Sequence, residues 1–418
     1  MHTKYYIGFD LGSSSVKVAL VDASTGENIL SLHEPKHEMS ILSEQSDWAE
    51  QNPNDWWTYI CQATKRILNE SKIDASKILA VGASYQMHGL VIVDSKGEPL
   101  RNAIIWCDSR AVEIGNKAFQ DLSPERCTKT LLNSPANFTA SKLKWVKDNQ
   151  PEFYKKIHKF MLPGDFIAFK LTNEISTTKN GLSEGIFWDY KSNNIAEWLL
   201  DYFGFNPDLV PKVVDNFSPQ GYITNKASLE TGLPEGIPIT YRAGDQPNNA
   251  LSLNVFNDGE VAATGGTSGV IYAVTNNKNS KESSRINHFA HVNYSDDNHT
   301  IGKLLCINGA GIMYRWLRNQ SSAESYETMN RKASKVPIGS DGLVILPFGN
   351  GAERMLNNQN IGTQFCNINL NQHSKAHLYR AALEGIAFSF VYGMEVLKNL
   401  PLKPFLSPLS LEKNLTQK

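Results

Sequence analysis

The chain has 418 residues, 41% of them hydrophobic, and a formal net charge of −1 at pH 7. A chain this long outgrows a single hydrophobic core, so two domains are expected; its near-neutral charge gives no electrostatic basis for nucleic acid or an anionic membrane as partner, which leaves small molecules. The five cysteines never form a C-x-x-C pair, and neither a secretion signal nor an apolar run of membrane-spanning length is found, so a cytoplasmic protein without disulfides or a zinc site is expected.

The first apolar runs, Tyr5 to Phe9 and Val16 to Val21, flank Asp10-Leu11-Gly12-Ser13-Ser14-Ser15 and predict a strand, a tight turn and a second strand. A turn of glycine and small hydroxyls leaves backbone N–H groups uncovered, and such a concave row of donors suits phosphate oxygens. Trp56 to Leu68 has helical spacing and leads into a strand at Ile78 to Ala83 and an apolar run at Leu90 to Val93. Between these runs lies Tyr85-Gln86-Met87-His88-Gly89. A lone histidine beside methionine is more often a satisfied core residue than a functional one. Here, however, Met87, His88, Trp106 and Asp108 all fall near strand ends, giving an apolar wall with donors and acceptors for a polyhydroxylated ligand.

Ala103 to Trp106 predicts another short strand, ending at Cys107-Asp108-Ser109-Arg110. The stretch from about Ala111 to Tyr202, rich in helix formers and aromatics, is expected to cap the first domain. Ile239 to Ala250 then predicts a short strand followed by Gly244-Asp245-Gln246-Pro247 at a helix start. Asp245 has a structural reading as a helix cap, and capping does not exclude catalysis: the positive helix end keeps a carboxylate ionised, able to take a proton from a substrate hydroxyl. Asp10 is equally readable as an Asx turn or as a holder of Mg²⁺ beside a phosphate cradle.

Beyond a boundary placed near Leu251, Thr264-Gly265-Gly266-Thr267-Ser268-Gly269-Val270 repeats the first loop between Val261 to Ala263 and Val270 to Val274. Either copy alone is an ordinary turn. The pair points to a duplicated fold with a nucleotide held by two related domains, and the polar run from Asn276 to Arg285 is expected to be a solvated loop.

Taken in order, Gly8-Phe9-Asp10-Leu11-Gly12-Ser13-Ser14-Ser15-Val16-Lys17, Gln86-Met87-His88-Gly89, Trp106-Cys107-Asp108-Ser109-Arg110, Gly244-Asp245-Gln246, Thr264-Gly265-Gly266-Thr267-Ser268 and Leu346-Pro347-Phe348-Gly349-Asn350-Gly351-Ala352-Glu353-Arg354 resemble the FGGY family of carbohydrate kinases. The Gln-Met-His-Gly stretch is most similar to the xylulokinases within it. The resemblance implies an α/β fold of two actin-like, ribonuclease-H-like domains with an interdomain cleft, residues 1–250 binding sugar and 251–418 binding nucleotide. It also implies transfer of the γ-phosphoryl group of ATP to a sugar hydroxyl, with D-xylulose as leading substrate and other pentoses, polyols or gluconate as alternatives. Under it, Asp245 is the catalytic base and Asp10 is important for activity, both holding Mg²⁺. Gly12, Ser13, Ser14, Lys17, Gly265, Gly266 and Thr267 bind ATP, and Met87, His88, Trp106, Asp108 and Asp245 meet the sugar.

The resemblance stops near Lys398. Three prolines between Leu400 and Pro408 exclude a regular helix or central strand there, and Met355-Leu356 replaces the Thr-Pro usual in the family. An incomplete second domain is therefore expected, with a helix from Leu378 whose apolar stripe (Ala381, Ala382, Gly385, Phe388, Tyr392) lacks part of its cover and favours self-association, a homodimer in the simplest case. The alternative to an active kinase is an impaired remnant that still binds sugar.

Overall fold

A computed structural model describes residues 3–279 and 282–398. The expectation for the proline-bearing segment from Leu400 lies outside the described residues. Two compact units are found, one of residues Met1–Asn249 with Phe289–His299, the other of Ala250–His288 with Thr300–Lys418.

In the first unit, β1 (Tyr5–Leu11), β2 (Val16–Asp22) and β3 (Asn28–Glu34) form an antiparallel meander. Strand β1 is also parallel to β4 (Ile78–Tyr85), and β4 to β5 (Ile239–Gly244), giving the order β5-β4-β1-β2-β3. This mixed order follows from connection lengths. The four residues between β1 and β2 permit only a hairpin, whereas the parallel neighbours are reached through long crossovers. Helix α1 (Pro53–Ser71) starts where the Asn52 side chain accepts the Asn54 N–H and Pro53 occupies the first turn. It ends at Lys72 in left-handed backbone. Its buried stripe of Trp56, Ile60, Ala63 and Ile67 packs on β2 and β3, the two isoleucines contributing about 1.5–3 kcal/mol of burial each.

Part of the stretch expected to cap the first domain belongs instead to that domain's core. Helix α3 (Pro163–Thr172) is buried on nearly every side, and its Phe166, Ile167 and Leu171 belong to the same core as Ile7, Val18 and Trp56. Arg242 on β5 pairs with Asp165 on α3 at 2.9 Å, both fully buried. The remaining guanidinium nitrogens donate to Gln220 and Ser176, so the buried charge is partnered. Helices α2 (Thr139–Asn149) and α4 (Lys179–Glu184) complete the surroundings of the site.

At the end of β5 the chain turns directly into α5 (Asp245–Ser252). In the second unit β6 (Val261–Gly265), β7 (Gly269–Thr275) and β8 (Ile301–Ile307) are antiparallel neighbours, β6 and β7 repeating the first hairpin. Both strands extend further into the loop than the apolar pattern indicates, because Gly265 still pairs with Gly269. Helix α6 (Gly311–Gln320) follows β8. Helix α7 (Lys375–Lys398) packs Tyr379, Ala381 and Ala382 against Met313, Leu317 and Ile345, and Val396 and Leu397 against Ile271 and Leu305. Phe388 and Tyr392 of the expected stripe are exposed, whereas its small residues are covered.

Candidate functional site

The first loop is held by its carbonyl groups. Met39 N–H donates to Ser14 O at 2.8 Å, Gly12 N–H to Ser15 O at 3.1 Å, and Gln51 Nε2 to Ser13 O at 2.6 Å. Among the described residues no hydrogen bond engages the backbone N–H of Ser13 or Ser14, the disposition a phosphate cradle requires. Gln51 Oε1 in turn accepts from Trp56 Nε1 and Gln86 Nε2, both at 3.1 Å, which ties this loop to the Gln86-Met87-His88 stretch. Trp106 is exposed, with its Nε1 3.5 Å from Ser13 Oγ.

Parallel pairing sets Gly244 opposite Tyr85, so the residue after β5 and those after β4 meet at one end of the sheet. A Cβ on Gly244 would lie 2.5 Å from Met87 Cγ and 2.7 Å from Glu184 Oε2; only glycine admits that approach. Asp245 follows in the first turn of α5, partly exposed. Desolvation first, then the negative charge of Asp10, push its carboxyl up to about 6, against the hydrogen bonds with Gln246 and the charge of Lys17. The helix start alone therefore does not set its ionisation. Its carboxylate form remains accessible at neutral pH, and a base poised near working pH transfers protons most effectively. Lys17 Nζ lies 3.1 Å from Asp10 Oδ2.

His88 adopts left-handed backbone, φ 60°, which costs a non-glycine residue about 1–2 kcal/mol. Its N–H donates to Glu184 Oε1 at 3.0 Å, its carbonyl accepts from Lys142 Nζ at 2.9 Å, and its ring sits against Phe138 and Phe289, with centroids at 4.8 and 5.2 Å. Glu184, Lys142 and Phe289 escaped the sequence reading. The last comes from the Phe289–His299 segment, some two hundred residues away along the chain, and no local pattern signals it.

Asp108, expected among the sugar contacts, is fully buried and engaged by its own chain. Oδ2 accepts the Ala49 N–H at 2.6 Å, and the Arg110 backbone and guanidinium bind both oxygens. Arg110 also pairs with Glu50 and lies 3.8 Å over the Trp48 ring. That network shapes the loop carrying Trp106, so Asp108 supports the wall rather than forming its surface.

In the second unit Gly266 N–H closes its loop on Ser268 O at 2.9 Å. The loop carbonyls are then used by α6: Gly311 N–H donates to Gly266 O at 3.0 Å and Ile312 N–H to Thr267 O at 2.9 Å. Gly265, Gly266, Thr267 and Ser268 remain exposed. Buried Glu353 accepts the N–H groups of Asn308 and Gly309, fixing the turn that enters α6; burial raises its carboxyl while those two bonds lower it. Glu353 belongs to the Leu346-to-Arg354 stretch that carries part of the family resemblance.

Residues 5–252 match the N-terminal domain, and residues 261–410 the C-terminal domain, of the FGGY family of carbohydrate kinases. The chain belongs to that family. A xylulose kinase of Bacillus subtilis is 28% identical over 396 residues, covering 94% of this chain and 78% of the relative. A xylulose kinase structure from Rhodospirillum rubrum superposes with a TM-score of 0.84 at 24% identity, covering 96% of this chain and 80% of that one. A gluconate kinase structure from Lactobacillus acidophilus reaches a TM-score of 0.82 at 23% identity, with 95% and 79% covered. As an FGGY carbohydrate kinase the chain has the two-domain α/β architecture expected of it, and no helix among the described residues is long and apolar enough to cross a membrane.

A kinase of this family must neutralise phosphate charge. Among the described residues no group of three or more His, Cys, Asp or Glu side chains could enclose a metal. The carboxylates of Asp10 and Asp245 fit an ion of the Mg²⁺ type, which commonly takes one or two carboxylates and completes its shell with water and phosphate oxygens. The repulsion between them that raises Asp245 is what such a cation would relieve.

Proposed function

We propose that this chain transfers the γ-phosphoryl group of ATP to a sugar hydroxyl, with D-xylulose as first candidate and D-xylulose 5-phosphate as product. The observation that carries the reading is Asp245: a partly exposed carboxyl at a helix start, raised to about 6, beside Asp10 and joined through Gly244 to Met87. Asp245 takes the proton of the attacking hydroxyl; that oxygen forms the new bond to phosphorus as the bond to the bridging oxygen of ADP breaks. Phosphoryl transfer asks little covalent work of protein groups, so positioning and charge neutralisation dominate. Met87, His88 and Trp106 bind the sugar, and Asp108 sets the Trp106 loop. The loop Gly12-Ser13-Ser14, through the open N–H groups of Ser13 and Ser14 and with Lys17, and the loop Gly265-Gly266-Thr267 take the nucleotide phosphates. Mg²⁺, held by Asp10 and Asp245, supplies neutralisation of phosphate charge when bound.

The likeness to a gluconate kinase fold supports a second reading, another polyhydroxylated substrate in the same pocket. An ADP-release assay over D-xylulose, other ketoses, polyols and gluconate decides between them, run beside Asp245→Ala. A loss of roughly a few hundredfold in kcat is expected of that variant, and retained activity would remove Asp245 from the base role. Sugar binding with no ADP release from any substrate would overturn the kinase reading.

A further inference from the structure

The exposed basic pocket lined by Lys96, Lys170 and Lys226 has counter-charges in Glu98 and Glu230. More informative are two buried ionisable side chains that the phosphoryl-transfer chemistry leaves unused, Glu184 and Lys142.

They converge on one residue, each binding one of the two successive peptide groups that flank the His88 Cα. Glu184, the last residue of α4, is fully enclosed; its Oε1 accepts the His88 N–H at 3.0 Å, and its backbone carbonyl lies 3.1 Å from His88 Nδ1. Lys142 projects from the first turns of α2 with no exposed surface, and its ammonium donates to His88 O at 2.9 Å and to Ile105 O at 3.0 Å. Ile105 immediately precedes Trp106. A single ammonium thus joins both stretches of the proposed sugar wall. The neighbouring Thr139 hydroxyl adds a bond to Gly89 O at 3.3 Å. Because a carbonyl can only accept, the Nδ1 contact fixes the proton of a neutral His88 ring on Nδ1.

These groups have a cost that core packing does not explain. A buried lysine and a buried glutamate are each desolvated, and burial pushes Lys142 down to about 7 and Glu184 well above its ordinary range. Apolar residues would fill the same space at less expense, but they could not hold a non-glycine residue in left-handed backbone. We propose that Glu184 and Lys142 are positioning residues for sugar binding, clamping the His88 backbone on both sides of its Cα and, through Ile105, the Trp106 wall in the geometry that receives the substrate.

The proposal rests on the reading of His88 as a sugar contact, so the test carries a separate arm for each. Steady-state kinetics with the sugar and with ATP are measured for the full chain and for His88→Ala, Glu184→Ala, Glu184→Gln and Lys142→Met, with thermal unfolding alongside. Glu184→Ala and Lys142→Met are expected to raise the sugar KM about tenfold or more, the consequence of a buried donor or acceptor losing its partner, with the ATP KM held within about twofold. Glu184→Gln keeps an oxygen for the His88 N–H and is expected to recover most of the affinity. If Glu184→Ala does not fold, Glu184→Asp, whose oxygens are drawn back by one methylene, carries the same expectation. A raised sugar KM in His88→Ala with wild-type values in the Glu184 and Lys142 variants overturns the clamp and leaves the sugar site standing. An unchanged sugar KM in His88→Ala overturns that site, and the clamp with it. Equal rises in sugar and ATP KM that track a lowered melting temperature would reduce both residues to general stability and overturn the proposal.

Discussion

Asp10 and Lys17 face each other across the first hairpin, paired in register on β1 and β2 and linked at 3.1 Å. Both side chains are substantially solvated, so the pair adds at most about 1 kcal/mol to stability. Its effect falls on Asp245, which Asp10 raises and Lys17 lowers. With Asp245 as base, kcat/KM for the sugar is expected to fall about tenfold per unit on the acid side of a limb that bound Mg²⁺ draws below pH 6. Neutralising Asp10 as Asp10→Asn removes a cause that favours the protonated form, so the limb moves to lower pH even where the rate drops. Lys17→Met removes a cause that favours the anion and moves it to higher pH. Rate profiles from pH 4.5 to 8 check both signs, and a limb that ignores both variants would assign it to another group.

Trp106 supplies a large exposed ring close to the Ser13 hydroxyl. An aromatic wall binds the apolar face of a sugar without taking part in proton transfer, so Trp106→Ala is expected to raise the sugar KM roughly tenfold while kcat stays within about threefold. Initial-rate kinetics at saturating ATP separate the two constants. A fall confined to kcat would take Trp106 out of the binding wall.

Much of this arrangement was legible in the residues because it is local. The two glycine-hydroxyl turns sit between β-branched runs, and the hairpins form where the sequence has them. Asp245 was legible for the same reason, as a carboxylate between a strand and a helix. What stayed hidden is tertiary: Glu184 and Lys142 look like ordinary surface charges on short helices until α2 and α4 close on His88, and Phe289 arrives from a distant segment. Asp108 shows the opposite error. Its position at a strand end was read as chemistry, yet the spacing to Arg110 makes it an internal ion pair. Helical composition after Ala111 likewise suggested a cap because periodicity does not reveal which sheet a helix buries against.

The Arg242–Asp165 pair gives a stability prediction with a definite pH dependence. Arg242→Met leaves Asp165 as an unpaired buried carboxylate, a loss of about 3–5 kcal/mol by urea unfolding at neutral pH. Burial already raises Asp165, and the guanidinium opposes that rise. Without it the folded-state pKa climbs further above the unfolded value. A group raised in this way penalises folding once pH exceeds its unfolded pKa, so the variant is expected to lose more stability at pH 8 than at pH 5. A deficit that is the same at both would place the cost in lost packing.

Gly311 tests whether the second loop needs the start of α6 as its support. A Cβ there would lie 2.2 Å from Gly266 O, a backbone atom that cannot swing aside as a flexible side chain would. Gly311→Ala must therefore separate the helix start from the loop and weaken the bonds from Gly311 N–H to Gly266 O and from Ile312 N–H to Thr267 O. Overpacking of this kind costs about 1–3 kcal/mol. With Gly266 and Thr267 as phosphate contacts, the displaced loop is expected to raise the ATP KM at least about tenfold and to shrink the rise in melting temperature that ATP gives, while the sugar KM changes little. Thermal unfolding with and without nucleotide reads this directly, because a ligand stabilises only the state it binds. An alanine variant that melts lower yet keeps the full ATP-induced shift would mean that the loop tolerates displacement and that nucleotide affinity is set elsewhere in the chain.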